Sequence, residues 1–343
     1  MDFHPSEEQA AAAGLAARIF SDLATHERLA TAGTGSDAEL WKALTTAGLT
    51  AAVEEIGLLG LVLLLEEQGR TTAQVPFAAT CVYGILPVAT HGSAEQRARL
   101  LPVLGSGDAV ATGAFPARGR ITVEGGRLTG TAPAVPWLRD ATHVLVPDTE
   151  RALWLVRTDA PGVRTTPVET TAPWSAGRLV LNGADAERIG SVGAYEHTLA
   201  AARTAFAGLQ AGVCAGSLAR AVEYTSTREQ FGRPLSTNQG VMLRAADAYM
   251  DTEAIRVTTY EAAWRIDQGL GAHEHALTAA WWASEAGKRV VHAGQHLHGG
   301  MGADLDHPVH RHFLWGRQLD AYLGCGSELL AELGAAIAEG EQA

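Results

Sequence analysis

Two short strings in this chain place phosphate-holding residue types close together. The first is Arg228-Glu229-Gln230-Phe231-Gly232-Arg233-Pro234-Leu235, followed by Gln239. A planar guanidinium clamps phosphate bidentately. Gly232-Arg233-Pro234 is expected to break a helix, so that side chains at its end point outward. The second string is His296-Leu297-His298-Gly299-Gly300-Met301-Gly302. Gly299 and Gly300 leave the backbone open to close approach by a ligand, and a histidine at 296 can donate to phosphate.

Other chemistries find less support. Histidines 292, 296, 298, 307, 310 and 312 invite a metal reading. His296 and His298 are too close on one turn to share a face, and no carboxylate or cysteine completes a recognised ligand set. No metal is expected. Cys81, Cys214 and Cys325 are far apart and odd in number, so neither a disulfide framework nor a cysteine metal site is indicated. No nucleophile elbow occurs, and no GxGxxG follows a strand.

The bulk properties narrow the class. A chain of 343 residues fits two or three domains. A net charge of −12 argues against general nucleic-acid binding, which needs a basic field. The opening Met1-Asp2-Phe3-His4-Pro5-Ser6 carries no basic region ahead of an apolar run, so a secretory signal is not expected. The apolar run 56–65 is too short to span a bilayer and is read as a buried helix. A reducing cytoplasm and no membrane association are the expectations.

The elements that must position the two strings follow from periodicity. Residues 6–105 read as short helices, with Ser6 as N-cap and Gln9 at the capping-box position. Helices are expected near 38–47, 56–68, 75–86 and 94–103. From 109 to 181 the chain shows β-prone runs at 121–123, 127–129, 143–146, 153–156 and 178–181, with Gly125-Gly126 as a tight turn. A small antiparallel sheet or barrel is expected, then a linker near 183–193. Long helices are expected at 197–228, 238–268, 272–298 and 308–339, forming an up-and-down bundle. The predicted class is α+β, mostly α. The expected domains are helical residues 1–106, β residues 107–190 and a four-helix bundle over 191–343.

These strings and this order resemble the acyl-CoA dehydrogenase family. Arg228 to Gln239 is similar to its R-x-x-F-G-x-P-L-x-x-x-Q segment, and 296–302 to its Q-x-x-G-G-x-G loop, with His296 at the glutamine position. The likeness covers essentially the whole chain. The chain is similar in particular to the short subunits of bacterial heterotetrameric dehydrogenases that shorten steroid side chains, through Met1-Asp2-Phe3, Pro234-Leu235-Ser236-Thr237 and 297–302. The resemblance implies that Arg228, Phe231, Gln239, His296, Gly299 and Gly300 reach the adenine-diphosphate half of a neighbour's FAD. It further implies acyl-CoA as substrate and an electron-transferring flavoprotein as acceptor.

The resemblance also shows departures. In the family a carboxylate takes the acyl α-proton while the β-hydride goes to the flavin, so a base must sit within reach. The usual position falls at Leu323, between Tyr322 and Gly324, and the alternative at Ala202, before Arg203. Neither side chain accepts a proton. Asp320 and Glu328 flank Leu323 as possible relocated bases, with surface carboxylates the more ordinary reading. The family's Trp and Thr against the flavin ring fall at Ala134 and Pro136, and proline offers no hydroxyl or N–H. Adjacent Trp137 reads as core or surface. Thr112 is the best surviving polar group in the loop 111–116. The resemblance therefore implies an FAD-binding, non-catalytic subunit beside a second acyl-CoA dehydrogenase-like chain. The alternatives are a self-sufficient homotetramer and an FAD-free scaffold.

Overall fold

The computed structural model describes residues 3–117 and 120–340, so Met1 and Asp2 of the opening likeness lie outside the described residues. The chain begins with α1 (Glu7–Leu23), α2 (His26–Ala32) and α3 (Ala38–Thr46). The expected capping box opens α1: Ser6 N–H donates to Gln9 Oε1 at 2.9 Å, and Gln9 N–H donates to Ser6 Oγ at 3.2 Å. The apolar run 56–65 lies within α4 (Val53–Thr71), which kinks at Gly57. Asp267 caps the helix after the kink by accepting from the Leu58 and Leu59 N–H groups at 2.8 and 2.9 Å.

Next come α5 (Phe77–Thr80), a π turn (Cys81–Ile85) and α6 (Leu86–His91), then α7 (Ala94–Gly105). The helix expected at 75–86 therefore begins two residues later, ends five residues later and carries a wide turn in its middle. Residues 77–83 are all buried, so tertiary packing holds it past Pro87.

Among the described residues the middle of the chain forms eight strands: β1 (Ala111–Gly113), β2 (Ile121–Glu124), β3 (Arg127–Val135), β4 (His143–Pro147), β5 (Leu153–Arg157), β6 (Val163–Pro167), β7 (Gly177–Asp185) and β8 (Glu187–Ile189). All five expected strand runs are present. Gly125 and Gly126, both at positive φ, close the β2–β3 hairpin with Glu124 opposite Arg127.

The β region expected as a small antiparallel sheet or barrel is antiparallel in every strand pair but one. Two four-stranded sheets form, ordered β1-β4-β5-β8 and β2-β3-β7-β6, and β1 runs parallel to β4. Leu128, Val144, Val146, Val156, Leu179 and Leu181 fill a shared apolar core. The linker expected over 183–193 is corrected, since it contains the end of β7 and all of β8. Alternating burial along β7 shows that its inner face packs on the core, which keeps the segment extended.

The rear of the chain contains α8 (Ala194–Thr227), α9 (Gln239–Asp267), α10 (His273–Leu297), α11 (Pro308–Leu319) and α12 (Gly326–Gly340). The single helix expected over 308–339 is two, because residues 320–325 form a turn in which Gly324 sits at φ 127°. Among the described residues α8 alone is long and apolar enough to cross a membrane, yet 72% of its apolar window is buried inside the protein. It is the core helix. It crosses α4 at backbone distance, where a Cβ on Gly212 would stand 2.0 Å from the Glu66 carbonyl oxygen.

Candidate functional site

At one end of the rear helices the C-termini of α8 and α10 meet the N-terminus of α9. α8 stops at Thr227, within one residue of the end expected at 228. Arg228 is its C-cap, with its N–H on the Tyr224 carbonyl at 2.8 Å. A miniature ribbon then pairs Arg233 with Gln230 and Pro234 with Glu229. Phe231 and Gly232 form its tip at φ 54° and 76°.

A phenylalanine in the left-handed region is strained, and nothing buries this one: Phe231 is 99% exposed. Arg228 and Gln239 are exposed beside it, with Gln239 the first residue of α9. The strand pairing explains the shape, because a two-residue turn between antiparallel strands demands positive φ at both positions.

The loop after α10 lies against the same end. Tyr224, one turn before Arg228, stacks on His298 with ring centroids 4.9 Å apart and 20° between planes. His298 is buried, and its Nδ1 sits 2.7 Å from the Gly294 carbonyl. His307 packs edge-on against it at 5.0 Å. Gln295 donates to the Gly302 carbonyl at 3.0 Å, and Gly302 itself is packed too tightly for a side chain. Gly299 and Gly300 differ: both are exposed, and a Cβ on either would meet nothing within 4 Å. His296 is exposed next to them.

All six named phosphate-end residues are thus solvent-facing at one end of the molecule. The Tyr224–His298 stack that joins their two segments was missed in the sequence. An aromatic one helical turn before Arg228 was the only available signal. Among the described residues no group of three or more His, Cys, Asp or Glu could hold a metal.

The second group surrounds the turn after α11. Leu323 is 6% exposed within the main apolar core, and Ala202 is fully buried on α8. Tyr322 Oη lies 2.9 Å from Tyr83 Oη, and burial pushes both phenols above their ordinary range. Tyr83 stacks on Phe115 and Phe206, at 5.1 and 6.0 Å between ring centroids, and Phe206 meets Tyr322 edge-on at 4.9 Å. Aromatic side chains therefore occupy the space around this turn.

Between the sheets and α11 a cavity of about 200 Å³ remains, bordered by Ala134, Pro136, Trp174, Gln318 and Tyr322. Thr112 does not face it as an available hydroxyl. Thr112 is fully buried, and its Oγ1 donates to the Pro136 carbonyl at 2.5 Å. Trp137 is core, stacked on Trp174 at 4.5 Å and edge-on to Trp315.

The two flanking carboxylates part company. Asp320 turns toward Arg317, with Nη1 3.1 Å from its Oδ2, and burial raises its carboxyl above the usual range. It lines neither cavity beside Tyr322 and Leu323. Glu328 does line the second of these cavities, and its Oε2 accepts from the Cys325 N–H at 3.1 Å. Arg203 holds Glu332 bidentately in the same place, at 2.8 and 2.7 Å, which keeps the Glu332 carboxyl below its ordinary range.

Comparison with known proteins agrees with this architecture. The acyl-CoA dehydrogenase N-terminal domain family matches residues 6–108, and the acyl-CoA dehydrogenase C-terminal domain family matches residues 192–337. The chain is 37% identical to the acyl-CoA dehydrogenase FadE27 of Mycobacterium tuberculosis, over 99% of both chains. Its fold superposes on a chain of the Tcur3481–Tcur3483 steroid ACAD with a TM-score of 0.93 and 41% identity, covering 98% of this chain and 99% of that one. It superposes on a chain of the ChsE4–ChsE5 complex from Mycobacterium tuberculosis at 0.92 and 33% identity, covering 99% of each. With both terminal regions, the full-length likeness and the helix–sheet–helix order in agreement, this chain belongs to the acyl-CoA dehydrogenase family.

Proposed function

We propose that this chain is an FAD-binding, non-catalytic subunit of a heteromeric, α2β2 acyl-CoA dehydrogenase. Its partner is a second acyl-CoA dehydrogenase-like subunit that supplies the flavin-ring pocket and the carboxylate base. The complex desaturates an acyl-CoA between Cα and Cβ. Its substrate class is a steroid side-chain CoA thioester, its acceptor an electron-transferring flavoprotein, and its compartment the cytoplasm. Two similar structures, a steroid ACAD and the ChsE4–ChsE5 complex, support the substrate class and the two-chain assembly.

The observation that carries the reading is the strained, fully exposed Phe231 beside the open glycines 299 and 300. The ribbon fixes the backbone of Phe231, but no described element of this chain covers its ring, which is left free to meet a ligand shared with a neighbouring chain. The adenine-diphosphate half of FAD fits here. Arg228 offers a bidentate guanidinium, His296 and Gln239 offer donors, and the bare glycine backbone offers close approach.

The ring half does not fit this chain's own cleft. About 200 Å³ is below the roughly 300–1,000 Å³ of ordinary small-molecule sites. Pro136 has no donor, and its carbonyl is taken by Thr112. The cavity at Leu323 also opposes CoA phosphates: Glu196, Glu328 and Glu332 outnumber Arg151 and Arg203 in its lining.

Bound FAD supplies the hydride acceptor for such a reaction. This chain's residues orient its diphosphate and shield its adenine from water.

Co-expression with the dehydrogenase-like partner, followed by a flavin-to-protein ratio, tests the reading. One FAD per pair of unlike chains, and none on this chain alone, is expected. One FAD per chain in a homomer that turns over acyl-CoA would overturn it and make Glu328 the base to examine. A colourless complex of unlike chains would instead identify a scaffold.

A further inference from the structure

A larger cavity, about 650 Å³, opens between α1, α4, α6 and the first turns of α8. His197, Thr198 and Ala201 line it, whereas Glu196, Leu199, Ala200 and Arg203 line the cavity at Leu323. The two therefore occupy different faces of α8. Its volume falls within the range of small-molecule sites, roughly 300–1,000 Å³. Its floor is apolar, built by Ile56, Leu58, Val82 and Leu86, and its rim is polar, with Gln9, Glu54, Glu55, His197 and Gln268.

One polar group in that wall is out of place. Thr198 is 2% exposed, and its Oγ1 has no hydrogen-bond partner. Threonines inside helices usually donate back to the carbonyl four residues earlier. Thr204, Thr225, Thr252 and Thr259 of this chain all do so, at 2.7–2.9 Å. Thr198 does not, and a buried hydroxyl left unpaired in a cavity wall calls for a partner.

Charge limits what that partner is. Glu54, Glu55 and Asp267 lie along the cavity, and Asp267 is occupied by the Leu58 and Leu59 N–H groups. Carboxylates or phosphates would be repelled there, which separates this cavity from any acyl-CoA or FAD site. We infer that the α1–α4–α6–α8 cavity binds a neutral amphiphilic small molecule whose apolar part lies on the floor and whose hydroxyl or carbonyl oxygen meets the Thr198 hydroxyl.

The test uses the full chain in its co-purified complex, with the neutral fluorophore N-phenyl-1-naphthylamine as probe. Saturable binding, one probe per copy of this chain, is expected. The probe should be displaced by 1-decanol and displaced roughly ten-fold more weakly by decanoate, because its carboxylate must desolvate beside Glu54 and Glu55. Ala89→Phe, which fills the cavity, should abolish binding.

Thr198→Val keeps the shape and removes the hydroxyl. It should leave the melting temperature unchanged while weakening decanol about five-fold. If Ala89→Phe fails to fold, Thr198→Val decides alone. Absence of saturable binding, equal competition by decanoate, or probe and decanol affinities unchanged in the folded variants would each overturn the inference.

Discussion

Tyr224 and His298 stack at 4.9 Å, and this contact joins the hairpin after α8 to the glycine loop after α10. Neither residue is itself a phosphate ligand in our reading. They set the spacing between Arg228 and Phe231 on one side and Gly299 and Gly300 on the other. Tyr224→Ala should therefore lower the FAD content of the complex by changing that spacing, while Tyr224→Phe retains it. Flavin absorbance per complex, measured after gel filtration, checks this; equal retention by both variants would remove the stack from the account.

Phe231 offers a test in which stability and binding move in opposite directions. Replacement by glycine removes the left-handed strain and should stabilise the isolated chain by about 1 kcal/mol. The same change deletes the exposed ring and should weaken FAD binding in the complex roughly ten-fold. Chemical denaturation of the chain and FAD titration of the apo-complex give the two readouts. Loss of both together would mean that the ring is structural.

Arg228 is exposed and has no packing role in the described structure. Arg228→Ala should leave the melting temperature of the chain unchanged. FAD binding to the complex should fall roughly 10- to 100-fold, the loss of one charge-assisted bidentate contact. Arg228→Lys should recover only part of it, since an ammonium is a point charge. Fluorescence recovery of FAD during dialysis measures the difference.

Leu323→Glu restores a carboxylate at the position where the family resemblance implies a base. We expect no acyl-CoA turnover from the isolated variant, because the cavity bordered by Pro136 and Trp174, at about 200 Å³, stays below the roughly 300 Å³ lower bound of ordinary small-molecule sites. The buried charge should also destabilise the fold by several kcal/mol. Measurable turnover by the variant alone, with bound FAD, would show that this chain's own site is nearly complete.

His312 predicts the acid limb of stability. The ring is fully buried, with Nε2 2.9 Å from the Arg70 carbonyl, and burial lowers its pKa from 6.5 to about 4. A lowered folded-state value means the neutral ring favours the native state above pH 6.5. That contribution is lost as pH falls from 6.5 toward 4. Two and a half pH units at about 1.4 kcal/mol each give about 3.5 kcal/mol. His312→Gln should flatten this limb, as read from denaturation midpoints between pH 7.5 and 4.5. An unchanged slope would place the acid sensitivity in other buried histidines.

The helix termini at Ser6 and Thr227, the β2–β3 hairpin and the long rear helices were legible because each rests on contacts within a few residues. The split of the last helix was not. Gly324 reads as one tolerated glycine among helix formers, and only the packing of Leu323 and Leu329 into separate apolar clusters makes it a turn. The two-sheet arrangement was equally hidden, since the parallel β1–β4 pair joins strands far apart in the chain. Thr112 looked like an available hydroxyl, and its use by Pro136 depends on a contact between loops.

What the amino-acid sequence determined by itself is the inventory of chemistry. Leucine at 323 and alanine at 202 cannot take a proton in any fold, and Pro136 cannot donate a hydrogen bond. Arg228, Phe231, Gly299 and Gly300 were equally readable as types suited to a dinucleotide. Tertiary structure alone decided where those types face. Phe231 is exposed because a two-residue hairpin holds it at positive φ, and the glycines open beside it because Tyr224 and His298 stack across two helices. Exposure and juxtaposition are sums of long-range contacts, and local spacing does not encode them.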